Sequence, residues 1–178
     1  MPGESLNPQS PSHTDCGGLQ YDNEFWRFSL AVYSRAGVAE ECLALQEIAG
    51  ADVNVLLFCA WTGTQAIVLS RDDIEQALRL VVAWQDNVVR PLRGVRQSMK
   101  ALEHHESESF RARVKSIEIE AEQIEQAVLF AYSKRLQTTR RDMREAVIEN
   151  VQRYIGLKAG PMSLAAPALI DAALHLRS

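Results

Sequence analysis

Apolar residues recur along this chain in steps of three and four, and strand-type alternation is scarce. That periodicity is the mark of helices with one buried face. The longest run is Ile74, Leu78, Val81, Gln85, Val88, Leu92, Val95, Met99 and Leu102. A second is Phe110, Val114, Ile117, Ala121, Ile124, Val128 and Ala131. Each has the alternating spacing of a heptad seam, with Gln85 as the one polar member. The polar stretch from Glu103 to Ser109 separates them. Folding the chain there pairs Leu102 with Phe110, Val95 with Ile117 and Val88 with Ile124, position numbers of constant sum, so the two seams mesh layer by layer. The spacing therefore predicts an antiparallel helical hairpin over about residues 72–134. Pro91 removes a helix hydrogen bond and crowds the preceding turn, which predicts a kink. The register also predicts that Arg96 and Glu118 approach each other, as an exposed pair worth only about 0–1 kcal/mol.

Shorter elements flank the hairpin. Asp22 or Asn23 is suited to cap a helix from about Glu24 to Ser34, broken by Gly37. A helix from about Val38 to Ala49 ends at Gly50. Asp52 caps a third, Val53 to Trp61, which is apolar all round and so predicted to be the buried centre, ending at Gly63. Ser70 and Asp73 form a weak capping box for the hairpin's first arm. After the hairpin, Met143, Val147, Val151 and Tyr154 mark one face of a helix from about Arg140 to Ile155, ended by Gly156 and the Gly160-Pro161 pair. A last apolar helix near Pro167 to His175 is expected to dock on the core. The fold class is all-α: a helical bundle around the long hairpin, with a flexible tail over residues 1–20 and one helical domain over 21–178.

Composition adds limits. The chain has 178 residues, 47% of them hydrophobic, which suits one well-packed domain. The net charge of −4 argues against a duplex nucleic-acid binder, which carries a basic excess. Cys16, Cys42 and Cys59 are too few and too irregular for a disulfide framework, and Cys59 sits in an apolar run as a core thiol. The N-terminus lacks the basic and apolar regions of a secretory signal. The most apolar stretch, Val53 to Trp61, falls far short of the roughly 20 residues that span a bilayer. These features together point to a cytoplasmic protein outside the membrane.

Candidate chemistry is sparse. His104 and His105 with Glu103, Glu106 and Glu108 suggest a metal site, but adjacent histidines on a helix diverge by about 100°. The spacing fits a solvated hairpin tip instead, and no metal or cofactor is expected. Arg90, Arg93, Arg96 and Lys100 share about a third of a helix circumference and form a basic stripe for phosphate, RNA or an acidic partner. Arg111, Arg113 and Lys115 follow across the turn. Glu118, Glu122 and Glu125 line one helix face, read here as solvated. Arg27 and Asn54 interrupt apolar helices, so they either cross-link the core or line a pocket with Trp26 and Trp61. No phosphate-cradling Gly-rich loop, C-x-x-C or nucleophile elbow is present.

The segment Phe25-Trp26-Arg27-Phe28-Ser29-Leu30-Ala31-Val32-Tyr33, continuing through Gly37-Val38-Ala39-Glu40 to Leu45-Gln46, resembles a proteobacterial family of short helical proteins filed as a domain of unknown function. Asp52 to Phe58 and Val88 to Arg93 are similar to its second and third shared segments. The resemblance implies a bacterial cytosolic protein and no particular activity. It draws attention to Trp26, Arg27, Asp52, Asn54, Trp61, Arg90 and Arg93.

The leading expectation is a non-enzymatic helical interaction or regulatory protein whose partner is another protein or a second copy of itself. Trp84, Val89 and Tyr132 are the apolar residues beside the seam that such a partner would cover. One alternative is a small-ligand binder or enzyme using a pocket near Trp26, Arg27, Asn54 and Trp61. The other is an RNA- or phosphate-binding module using the basic stripe.

Overall fold

The structure is a computed structural model that describes residues 18–101, 105–139, 141–160 and 164–176. Among these residues it is helical with no strand: α1 (Glu24–Tyr33), α2 (Val38–Ala49), α3 (Val53–Thr64), α4 (Arg71–Trp84), a π-helical turn (Gln85–Val89), α5 (Arg90–Ser98), a 3-10 turn (Met99–Ala101), α6 (His105–Ser133), α7 (Met143–Ala159) and α8 (Pro167–His175). The predicted tail lies almost wholly outside the described residues, as do the side chains of His104 and His105.

The caps follow from the sequence. Asn23 Oδ1 accepts the Trp26 N–H at 2.8 Å, and Asp52 Oδ1 accepts that of Asn54 at 2.9 Å. Ser70 and Asp73 form a full reciprocal capping box. Gly50 closes α2 with φ +61°, a conformation that costs other residues a steric clash.

The core is built around α3, whose residues Asn54 to Thr64 are all buried. It touches α1, α2, α4, α6, α7 and α8. Its uniformly apolar surface leaves no solvated side, so neighbours must enclose it. Gly63 does not end this helix. It lies inside it, where the backbone of α7 approaches so closely that a Cβ would sit 2.5 Å from Val147 Cα. Gly156 likewise stays within α7, which runs on to Ala159. Asn150 and Tyr154 of α7 tie the layers together. Asn150 Oδ1 accepts the Leu69 N–H and its Nδ2 donates to the Ile67 carbonyl, both at 2.8 Å. The Tyr154 hydroxyl accepts the Asp52 N–H at 2.7 Å.

The predicted approach of Arg96 to Glu118 is present, through Nε and Nη2. The first arm is nevertheless offset from the predicted layers. Trp84 Nε1 donates to the Ala121 carbonyl at 2.9 Å and the Tyr132 hydroxyl to the Asp73 carbonyl at 3.3 Å, where the constant sum would have set Trp84 beside Leu129 and Tyr132 beside Val81. The kink takes a specific form. The Arg90 N–H bonds the Gln85 carbonyl, five residues back, so a π-turn widens the helix just before Pro91. That turn holds one residue more than an α-turn and rotates everything after it. Val89 becomes fully buried, whereas Val95, predicted in the seam, is 48% exposed. Arg93 and Arg96 turn inward in its place. The Arg96–Glu118 pair is consequently not the exposed pair expected, because the Glu118 side chain is only 6% exposed. Trp84 and Tyr132 are half-buried, and with Val89 buried these three do not form an open apolar strip.

Candidate functional site

The π-turn creates the most distinctive feature of the molecule. Five helices, α1, α2, α3, α5 and α6, enclose a groove of about 410 Å³. Trp26, Leu30 and Tyr33 of α1, Leu43 of α2, Leu57 of α3 and Ile119 of α6 give it apolar walls. Its polar lining comes from Ser29, Gln46, Asn54, Gln126 and a charged cluster on the two hairpin arms.

Arg93 is the hub of that cluster. Its Nε donates to Glu118 at 3.0 Å, its Nη2 to Glu122 at 2.6 Å and its Nη1 to Gln46 of α2. Burial works against the Arg93 charge, but Glu122 and Glu118 outweigh it and its pKa is raised. Burial also opposes the charge on Glu118, yet the guanidinium groups of Arg96 and Arg93 prevail and hold its carboxyl below the usual range. Glu122 is half-buried beside a single arginine, and for it burial wins and the pKa rises. Glu118 is thus the firmly ionised partner and Glu122 the weaker one.

Behind the groove a second carboxyl pair is buried. Glu125 is fully inaccessible, and neither of its oxygens meets a hydrogen-bond donor among the described residues. Burial first, and then the Asp52 carboxylate, pushes its pKa up to about 10. Glu125 therefore carries its proton at neutral pH, close to Asp52, which caps α3. The face of α6 bearing Glu118, Glu122 and Glu125 is not the solvated face expected from the sequence. Glu118 and Glu125 are buried and Glu122 is half-buried.

Two polar atoms in the groove lack partners. Ser29 Oγ and Gln126 Oε1 belong to residues 3% and 2% exposed, and neither makes a hydrogen bond. Gln126, a residue of the groove lining, spends its amide Nε2 on Asn54 Oδ1 at 2.8 Å, and its carbonyl oxygen has no partner.

The residues proposed from sequence are dispersed. Trp26, Asn54, Arg93 and Arg96 line the groove, and Asp52 lies behind it. Arg27 does not. It is exposed, with both Nε and Nη2 on Asp22 at 2.9 Å. Trp61 is packed among Phe25, Phe58 and Phe130 in the core, and with Arg27 it borders a separate depression of about 290 Å³. The expected pocket near Trp26, Arg27, Asn54 and Trp61 is therefore split between two places. The basic stripe is divided as well. Arg90 points outward to Asp86 at 2.6 Å, Lys100 is exposed on the 3-10 turn, and Arg93 and Arg96 are turned inward. Ser29, Gln46 and Gln126 were missed, because nothing in their spacing distinguishes them from ordinary helix-surface polar residues. The described residues hold no cluster of His, Cys, Asp and Glu suited to a metal ion. Cys42 and Cys59 are buried, and burial pushes the Cys42 thiol up to about 12.

The fold and groove define an all-α helical protein in which a kinked hairpin closes over a small N-terminal helical layer. Residues 24–129 match the family described as protein of unknown function (DUF2390), and the chain belongs to that family. The matched region includes every residue that lines the groove. No match is found among curated proteins or among solved structures. Among the described residues, no helix is long and apolar enough to cross a membrane.

Proposed function

We propose that the protein acts by binding, and that the groove between α1, α2, α5 and α6 takes a small ligand with an apolar body. One observation carries this reading: Ser29 Oγ and Gln126 Oε1 are buried at the groove without a partner. An unmatched buried polar atom costs about 1–3 kcal/mol, a cost that a bound donor removes. The volume of about 410 Å³ lies in the range of small-molecule sites. Convergent polar groups within apolar walls are the usual form of such sites. The two buried thiols suit a protein of the reducing cytoplasm.

The test is native mass spectrometry of gently purified protein, compared with Leu43→Trp, which fills the exposed rim without touching the core. The expected result is a stoichiometric small-molecule adduct that the variant loses. Absence of any adduct, together with no binding of the apolar anion anilinonaphthalene sulfonate, would overturn the reading.

A second reading keeps the interaction role. Val95 is 48% exposed and Phe110 and Ile117 are each 51% exposed, three positions predicted for the seam that lie open instead. They offer a contact for a second copy of the chain. Sedimentation of the parent and of Ile117→Glu should then show concentration-dependent association only in the parent.

A further inference from the structure

The groove's two ends differ chemically along α6. Gln126 sits at the inner end and Lys115 at the outer end, eleven residues apart, which is about 16 Å along the helix axis. The groove of about 410 Å³ runs along that stretch of α6. Between the ends Leu30, Leu43, Leu57 and Ile119 form an apolar wall, and the Arg93–Glu118–Glu122 cluster, its charges paired with one another, forms the other.

The outer end has cationic capacity to spare. Arg93 has all its donating nitrogens engaged, by Glu118, Glu122 and Gln46. Arg96 commits Nε and Nη2 to Glu118 and leaves Nη1 over. Lys115 is exposed and has no ion pair among the described residues. Three cations and two carboxylates line the groove, a surplus of one positive charge. A single anionic group neutralises that surplus. A dianion would overshoot it and would meet Glu118, whose side chain is only 6% exposed. The inner end calls for the opposite chemistry, because the lone pairs of Gln126 Oε1 and Ser29 Oγ await a hydrogen-bond donor.

Resting on the binding reading above, we propose that the groove takes an extended aliphatic monocarboxylate whose far end carries a hydrogen-bond donor. The carboxylate is held by Arg96 Nη1 and Lys115 Nζ. The chain lies along Leu30, Leu43 and Ile119, and a hydroxyl or amide N–H at its other end meets Gln126 and Ser29.

Isothermal titration with three probes tests this: 12-hydroxydodecanoate, dodecanoate and dodecane-1,12-diol. The hydroxy acid should bind tightest, about tenfold better than either of the others. Lys115→Glu should weaken both acids about tenfold and leave the diol unchanged. Lys115 is exposed and unpaired, so the variant should melt with the parent, and Lys115→Gln gives a milder version of the same loss. If the diol matches the hydroxy acid and Lys115→Glu changes nothing, the anionic end is wrong while the groove still binds. If Leu43→Trp leaves the binding of all three probes intact, or none binds, the groove reading itself falls.

Discussion

Arg93 Nη2 lies 2.6 Å from the Glu122 carboxylate, and this contact joins the two arms of the hairpin at the point where they close over the groove. The same guanidinium reaches Gln46 on α2, so one side chain fixes the hairpin against the N-terminal helices. Removing it leaves Glu118 and Glu122 partly buried without a common counter-charge. Arg93→Ala should cost roughly 3 kcal/mol, the low end for breaking a buried pair, because 15% of the side chain is still exposed. Arg93→Lys keeps the charge but loses the planar fork, and should fall between the two. Urea denaturation measures both, and an Arg93→Ala variant as stable as the parent would show that the cluster contributes nothing to the fold.

Glu125 predicts a pH dependence. Its carboxyl is neutral in the folded chain up to about pH 10, against an ordinary value of 4.5. Folding therefore takes up a proton between those values, and the stability contribution present below pH 4.5 is lost as pH rises toward 10. Asp52, Asn54 and Tyr154 approach it from the neighbouring elements, and Glu122 from its own helix. Burial and the Asp52 carboxylate act in the same direction, so no nearby cation cancels the effect. Glu125→Gln has no proton to lose, and its amide can donate to Asp52. It should flatten the decline and gain on the order of 2 kcal/mol at pH 8. Urea midpoints at pH 5.5 and 8.5 decide the matter, and parallel slopes for parent and variant would contradict a protonated Glu125.

Two glycines in helices should respond oppositely to alanine. At Gly63 a Cβ would meet Val147 Cα at 2.5 Å and Val147 N at 2.6 Å, both rigid backbone atoms. Gly63→Ala must push α3 and α7 apart and should cost about 3 kcal/mol. At Gly94 a Cβ meets nothing within 4 Å, so Gly94→Ala should gain about 0.5–1 kcal/mol from reduced backbone freedom. Thermal melting of both variants checks the pair, and equal effects would mean that the α3–α7 approach is looser than described.

Much of the helical layout was legible because it rests on local rules. The bounds of α2 and α8, and the caps at Asn23, Asp52 and Ser70, follow from residue types with intrinsic preferences. The antiparallel pairing and the Arg96–Glu118 contact followed from the match between two periodic runs, whereas the layers of the first arm did not. Glycines were less reliable guides. Gly63 and Gly156 look like helix ends, yet both lie inside helices, and Gly63 is there for close packing.

The hairpin itself shows where sequence stops and tertiary structure begins. The sequence alone determined that two long arms pair antiparallel and that Pro91 disturbs one of them, because periodicity and a missing N–H are local properties. Tertiary structure alone decided that the disturbance is a π-turn at Gln85–Val89. One extra residue in a turn rotates the rest of the arm, moving Arg93 and Arg96 from an outer stripe into a groove and Val95 out of the seam. It also decided that Glu118 and Glu125 are buried. A helix's polar face normally meets water, and only the demand of α3 for cover on every side brings that face of α6 into the interior.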